Sequence, residues 1–181
     1  QLNKNVPVVY YELGKNYTKL KNFGSAEGAF KEAISKEPKN EWYLDALYQF
    51  YIEQNDLNKA ISTVKLLTEF HPDYKEDLAG LYFKTKNYDG ALKILDELDS
   101  NLGIAFSRDS LRNRIYEVTG RKDEQIKNLE SRIGNNPDKE SNYIALIFRY
   151  SENNDKEKAF ETAKELLKIN PNSQTVHLAL Y

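Results

Sequence analysis

His71 and His177 are the only side chains in this 181-residue sequence whose ordinary pKa lies near neutrality, so they are its first candidates for proton transfer or metal binding. They sit far apart, His71 directly before Pro72 and His177 near the last residue, and nothing in their spacing pairs them on one metal. His71 reads as a helix-end residue, where a cation favours the C-terminal dipole. Cysteine is absent, which removes thiolate nucleophiles, thiolate ligands and disulfides and leaves the redox compartment open. No nucleophile motif and no glycine-rich phosphate loop is present. Neighbouring carboxylates such as Asp96 and Glu97 fall in lysine-bearing helical sequence and read as surface charge. Asn16-Tyr17-Thr18 has the glycosylation pattern, but in mid-helix, which argues against its use. The expectation is no enzyme, no cofactor and no metal.

Charge narrows the partners. The 26 basic and 28 acidic residues are evenly mixed and sum to −2, which gives no electrostatic reason to expect nucleic acid. The longest near-continuous apolar run, Tyr143 to Phe148, is far short of the roughly 18 residues of a membrane span. The sequence opens on Gln1 and contains no Met, as expected of a chain processed or excised from something longer. Cytoplasmic and exported locations both fit.

The elements show themselves through a period. Pro38 and Pro72 are 34 residues apart, as are Pro137 and Pro171. Ala26, Ala60, Gln125 and Ala159 stand at a constant offset before these prolines, and Ala91 with Gly103 fills the gap between them. The series Ala26, Ala60, Ala91, Gln125, Ala159 is therefore spaced 34, 31, 34 and 34, a repeat with one three-residue deletion. Within a period, apolar residues recur at helical spacing, so each unit reads as helix, turn, helix. The turns are expected at Asn22-Phe23-Gly24, Asn55-Asp56-Leu57 and Lys86-Asn87-Tyr88. Small residues at Gly14 and Ala26 let paired helices approach, and Pro38 stops the second helix.

Tyr10-x-x-Leu13-Gly14-x-x-Tyr17, followed by Ala26-x-x-x-Phe30, Ala33 and Pro38, resembles the tetratricopeptide pattern W-x-x-L-G-x-x-Y…A-x-x-x-F…P, with Tyr for Trp. The resemblance runs through one array of units at about 7–40, 41–72, 73–105, 106–139 and 140–173, with a partial sixth at 174–181 after an Asn172-Ser173 cap. The fourth unit departs most. Gln125 and Arg132 replace small residues, and Asp109 and Arg112 stand at apolar positions, although Leu111, Ile115, Val118, Ile126, Leu129 and Ile133 still allow two amphipathic helices.

The resemblance implies an all-α, right-handed α-solenoid of stacked antiparallel helix pairs, with the first helix of each pair lining a concave groove. In family register the groove takes Val8, Tyr11 and Lys15, then Trp42, Asp45 and Gln49. Glu76, Gly80 and Phe83 follow, then Ser110, Arg114 and Glu117, and last Ile144, Phe148 and Ser151. The implied function is a non-catalytic scaffold that binds a protein or peptide in that groove. Two alternatives are a regulatory or sensor module of a larger protein and, on the Tyr and Asn content alone, a binder of envelope carbohydrate. The family's clamp for a chaperone's C-terminal carboxylate is not expected. Its positions hold Tyr11, Lys15, Ala46, Asp73 and Asp77, and the two acids would repel a carboxylate. Asp45, Glu53, Asp73, Glu76 and Asp77 read either as a patch for a basic peptide or as a solvated rim. Trp42 reads as groove or packing residue. The apolar ends, Val6 to Tyr10 and Val176 to Tyr181, lead us to expect end-to-end self-association.

Overall fold

The computed structural model describes residues 6–103, 105–173 and 176. Among these residues all regular structure is helical: α1 (Pro7–Lys19), α2 (Phe23–Lys36), α3 (Glu41–Glu53), α4 (Leu57–Leu67), α5 (Tyr74–Lys84), α6 (Tyr88–Leu102), α7 (Phe106–Thr119), α8 (Lys122–Asn135), α9 (Glu140–Glu152) and α10 (Lys156–Ile169). The chain forms two compact units, Gln1–Arg112 and Asn113–Tyr181, and the boundary falls inside α7. In the first unit each helix from α1 to α6 packs on the next, and in the second α8 packs on α9 and α9 on α10.

One turn, used five times, makes the hairpins. A residue with positive φ follows the first helix at Lys21, Asn55, Lys86, Gly120 and Asn154, with the 34, 31, 34, 34 spacing of the sequence. The next amide then donates back to a tyrosine carbonyl in the last turn. These bonds are Asn22 to Tyr17 (2.9 Å), Asp56 to Tyr51 (2.9 Å), Asn87 to Tyr82 (2.8 Å), Arg121 to Tyr116 (3.0 Å) and Asp155 to Tyr150 (2.9 Å). This is the Schellman closure, which satisfies a carbonyl that a helix end would leave unpaired. In four hairpins the next side chain caps the second helix: Asn22, Asp56, Asn87 and Asp155 accept from the amides of Ser25, Lys59, Gly90 and Lys158. The second and third turns therefore lie one residue earlier than expected, and the first two residues earlier. Phe23, Leu57 and Tyr88 already open their helices, because the preceding Asn or Asp is the cap.

Lysine is a poor occupant of a left-handed position, since its Cβ crowds the following carbonyl, and the fourth hairpin places Gly120 there. Lys86→Gly is expected to stabilise the protein by about 0.5–1 kcal/mol, read as a higher urea midpoint at unchanged slope. An unchanged or lower midpoint would show that the position carries no strain.

Packing follows the period, with instructive exceptions. In the first unit Ala26, Phe30, Leu44, Leu47, Phe50, Tyr51, Val64 and Leu67 form one apolar cluster; in the second Leu129, Tyr143, Leu146, Tyr150, Ala163 and Leu166 form another. Gly14 is buried because its bare Cα lies against the Phe30 ring. Leu13, expected on the covered face, is instead 39% exposed, since no described helix precedes α1. Val118 is exposed as well. Its counterparts in the other hairpins are Lys19, Glu53, Lys84 and Glu152, so it sits on the solvent side of its helix. Of the expected sixth unit only Val176 is described, and it is buried against the second cluster; the rest, His177 included, lies outside the described residues.

Of the misfit residues of the fourth period, Arg112, Gln125 and Arg132 are buried and Asp109 is half-buried. Arg108 donates to Asp99 (Nε to Oδ1, 2.8 Å), to Glu76 (2.6 Å) and to the carbonyl of Gly103. Arg112 donates to Asp99 Oδ2 (2.8 Å) and to Asp96. Asp99 thus bridges two buried guanidiniums, and Asp96, expected to be plain surface charge, is a partner of one. In the second unit buried Gln125 donates to Asn113 (2.9 Å).

Candidate functional site

The first-helix face of the first unit is built mainly on α3. Trp42, Asp45 and Gln49 lie three and four residues apart and therefore share one side of that helix. Trp42 is 79% exposed, so it is not a packing residue at the helix start. Asp45 accepts from the Tyr74 hydroxyl of α5 at 3.1 Å and from the Gln49 amide at 3.4 Å. Tyr48 meets Tyr74 edge to face with centroids 6.4 Å apart. The local field is negative. Burial, with help from Asp45, pushes the Tyr74 hydroxyl up to about 12, and burial with Asp77 and Asp45 does the same for Tyr48. The Asp77 carboxyl is raised by desolvation and then by Asp45 and Glu76, with Lys84 opposing. Both tyrosines remain hydroxyl donors at neutral pH, while the acids are held close to one another.

The other expected site residues fall in different settings. Tyr11 is half-buried, its ring 5.4 Å from Tyr43 and 6.3 Å from Phe30, with the Lys15 ammonium 5.0 Å above it. Lys15 also pairs with Glu12 at 3.0 Å. The Glu76 carboxylate is committed to Arg108. Phe83 is half-buried with its ring 5.8 Å from Tyr88 of α6. In the second unit Arg114 is exposed, Ile144 packs against the apolar cluster, and Phe148 is exposed. Tyr48 and Tyr74 belong to the α3 site and were not singled out from the sequence. The signal available was the matched pair Tyr43 and Tyr74, one period apart.

The second unit carries a polar cleft of about 320 Å³ between the α7–α8 turn and α9, lined by Glu117, Lys122, Gln125, Arg149 and Glu152 among others. Arg149 bridges Glu117 (3.3 Å) and Glu152 (2.6 Å) there, so its charge is already matched. Among the described residues no group of His, Asp and Glu is arranged to hold a metal, and no helix is long and apolar enough to cross a membrane. His71 pairs with Glu41 at 2.9 Å and belongs to no such group among the described residues.

Residues 17–81 match the tetratricopeptide-repeat family model. No curated protein sequence matches the chain significantly. Solved structures do. A crystal structure of MamA aligns at 18% identity over 91% of this chain and 92% of that one, with a TM-score of 0.57. MamA from Desulfovibrio magneticus RS-1 aligns at 14% identity over 96% and 99%, with a TM-score of 0.55. YrrB, described as a tetratricopeptide protein with an unusual peptide-binding site, aligns at 14% identity over 98% and 93%, with a TM-score of 0.54. At such identities these likenesses establish the fold. Residues 17–81 thus match the tetratricopeptide repeat, and the chain has the all-α helical-repeat fold of these solved structures.

Proposed function

We propose that the chain is a non-catalytic scaffold that holds a peptide or a segment of a partner protein along its first-helix face, with α3 of the first unit at the centre. The observation that carries this reading is Trp42, a large aromatic left in solvent on the same helix side as Asp45 and Gln49. An indole in that position loses water favourably when a partner covers it, which is how aromatic anchors supply binding energy. The acids around it favour a partner carrying Lys or Arg, because an approaching cation offsets both the desolvation of Asp77 and its repulsion by Asp45. The peptide site described for YrrB is a property of that protein and lends this reading only the precedent of the fold.

Trp42 is the only tryptophan, so its fluorescence reports the site alone. Titration with an extended Lys/Arg-rich peptide is expected to shift the emission to shorter wavelength. Trp42→Ala, followed by calorimetry, should weaken binding by roughly tenfold to thirtyfold, the usual loss for an aromatic anchor. The pair Asp45→Asn and Asp77→Asn should weaken it too and flatten its salt dependence. An acidic peptide that binds equally well, or affinity indifferent to all three substitutions, would refute the reading.

A further inference from the structure

Tyr48 is 6% exposed, yet its hydroxyl makes no hydrogen bond among the described residues. A buried polar group without a partner needs a reason. This one is held among carboxylates. After burial, Asp77 and then Asp45 act on it most, and its ring lies against Tyr74, whose own hydroxyl donates to Asp45. Asp45 and Asp77 repel one another, and among the described residues neither is in an ion pair, although Glu41 pairs with His71 and Glu76 with Arg108. Lys84 draws Asp77 down without forming an ion pair with it. Gly80 stands one turn beyond Asp77 on the same side of α5. Its φ is not positive, and a Cβ there would meet nothing within 4 Å. Neither backbone nor packing therefore requires a residue that weakens a helix interior. The other hairpins carry Lys15, Gln49, Arg114 and Phe148 at this position, so only α5 leaves its backbone bare there.

We propose that Asp45, Asp77 and the Tyr48 hydroxyl seat one arginine side chain of the bound segment, with the bare backbone at Gly80 giving the guanidinium room. This rests on the peptide-binding reading above and narrows it to one residue type at one place. A guanidinium carries five N–H donors in a fixed plane. That fork matches two carboxylates and a phenol oxygen presented from two helices, and its weak hydration makes it easier to desolvate than an ammonium. Asp45 keeps its second oxygen for the guest, since the Tyr74 hydroxyl and the Gln49 amide both donate to Oδ1. The Tyr74 bond also orients that carboxylate before the guest arrives.

The test uses two extended peptides, identical except that one has arginine and the other lysine at every basic position. Each is titrated against the 181-residue chain and followed by Trp42 fluorescence. The arginine peptide is expected to bind about tenfold more tightly, the value of one charged hydrogen-bonded contact. Tyr48→Phe keeps the ring and removes only the hydroxyl, and should cut that preference by about threefold or more. Gly80→Gln, which installs the residue α3 carries at this position, should abolish the preference while raising or leaving unchanged the thermal midpoint, because glutamine favours a helix over glycine. Equal affinity of the two peptides for the unaltered chain would overturn the arginine seat and leave the face reading intact. An arginine preference untouched by both Tyr48→Phe and Gly80→Gln would overturn it as well. If neither peptide moved the Trp42 emission, the face reading would fall and this seat with it.

Discussion

Replacing Asp99 by Ala is expected to cost about 3–5 kcal/mol, the largest effect of any single charge removal in the protein, because it strips one carboxylate from two buried guanidiniums at once. Removing one member of a buried ionic group leaves the others desolvated without compensation, and that penalty exceeds whatever the group contributes when complete. Two controls separate this from a general sensitivity of α6. Asp96→Ala removes a partner of Arg112 that is well exposed, and should cost no more than about 1 kcal/mol. Arg112→Leu restores the residue type that Leu47, Leu78 and Leu146 supply at the same point of the other hairpins. It leaves Asp99 still paired with Arg108, so its cost should be well below that of Asp99→Ala, since an apolar side chain of similar reach commonly replaces a buried ion without loss. Urea unfolding of the three variants decides the matter. If Asp99→Ala cost no more than Asp96→Ala, the bridge would be incidental.

The second large effect belongs to the Gly14–Phe30 contact. A Cβ on residue 14 would stand 2.7 Å from two atoms of the Phe30 ring, which is itself buried among Ala26, Leu47 and Phe50. The ring has nowhere to move, so Gly14→Ala should destabilise by about 1–3 kcal/mol despite alanine's better helix propensity. Phe30→Ala should cost about 3–5 kcal/mol through lost burial and the cavity left behind. Phe30→Leu combined with Gly14→Ala should cost less than the sum of the two, with a coupling near 1 kcal/mol, because the smaller side chain makes room for the methyl. Gly28→Ala is the internal control. Nothing lies within 4 Å of a Cβ there, so the same exchange in the neighbouring helix should stabilise slightly, by up to about 1 kcal/mol. Strict additivity at 14 and 30 would contradict the steric account.

Much of the fold is legible in the sequence because its causes are local. Where a helix runs depends on which residues recur at helical spacing, and where it turns depends on a left-handed residue followed by an Asn or Asp cap. Both are properties of a few neighbouring residues, and the turn positions at Lys21, Asn55, Lys86, Gly120 and Asn154 carry the period as plainly as the alanines do. The candidate site is only partly legible. That Trp42, Asp45 and Gln49 share a side of α3 follows from spacing, but that Tyr74 donates to Asp45, or that Arg108 draws Glu76 out of the acidic group, depends on side chains a period apart meeting in space.

Leu13 and Leu47 mark the division most clearly. Their sequence contexts are equivalent, and periodicity alone assigns both to a covered face. Sequence therefore determined that this chain makes paired helices, where each pair turns and which residues each helix offers for burial. Only the tertiary structure decided that Leu47 is covered and Leu13 is not, and that Arg112, unsuited to an apolar site by its chemistry, is held there by Asp99 and Asp96. The physical reason is that an apolar stripe is a property of one helix, whereas burial and charge compensation are properties of whatever packs against it.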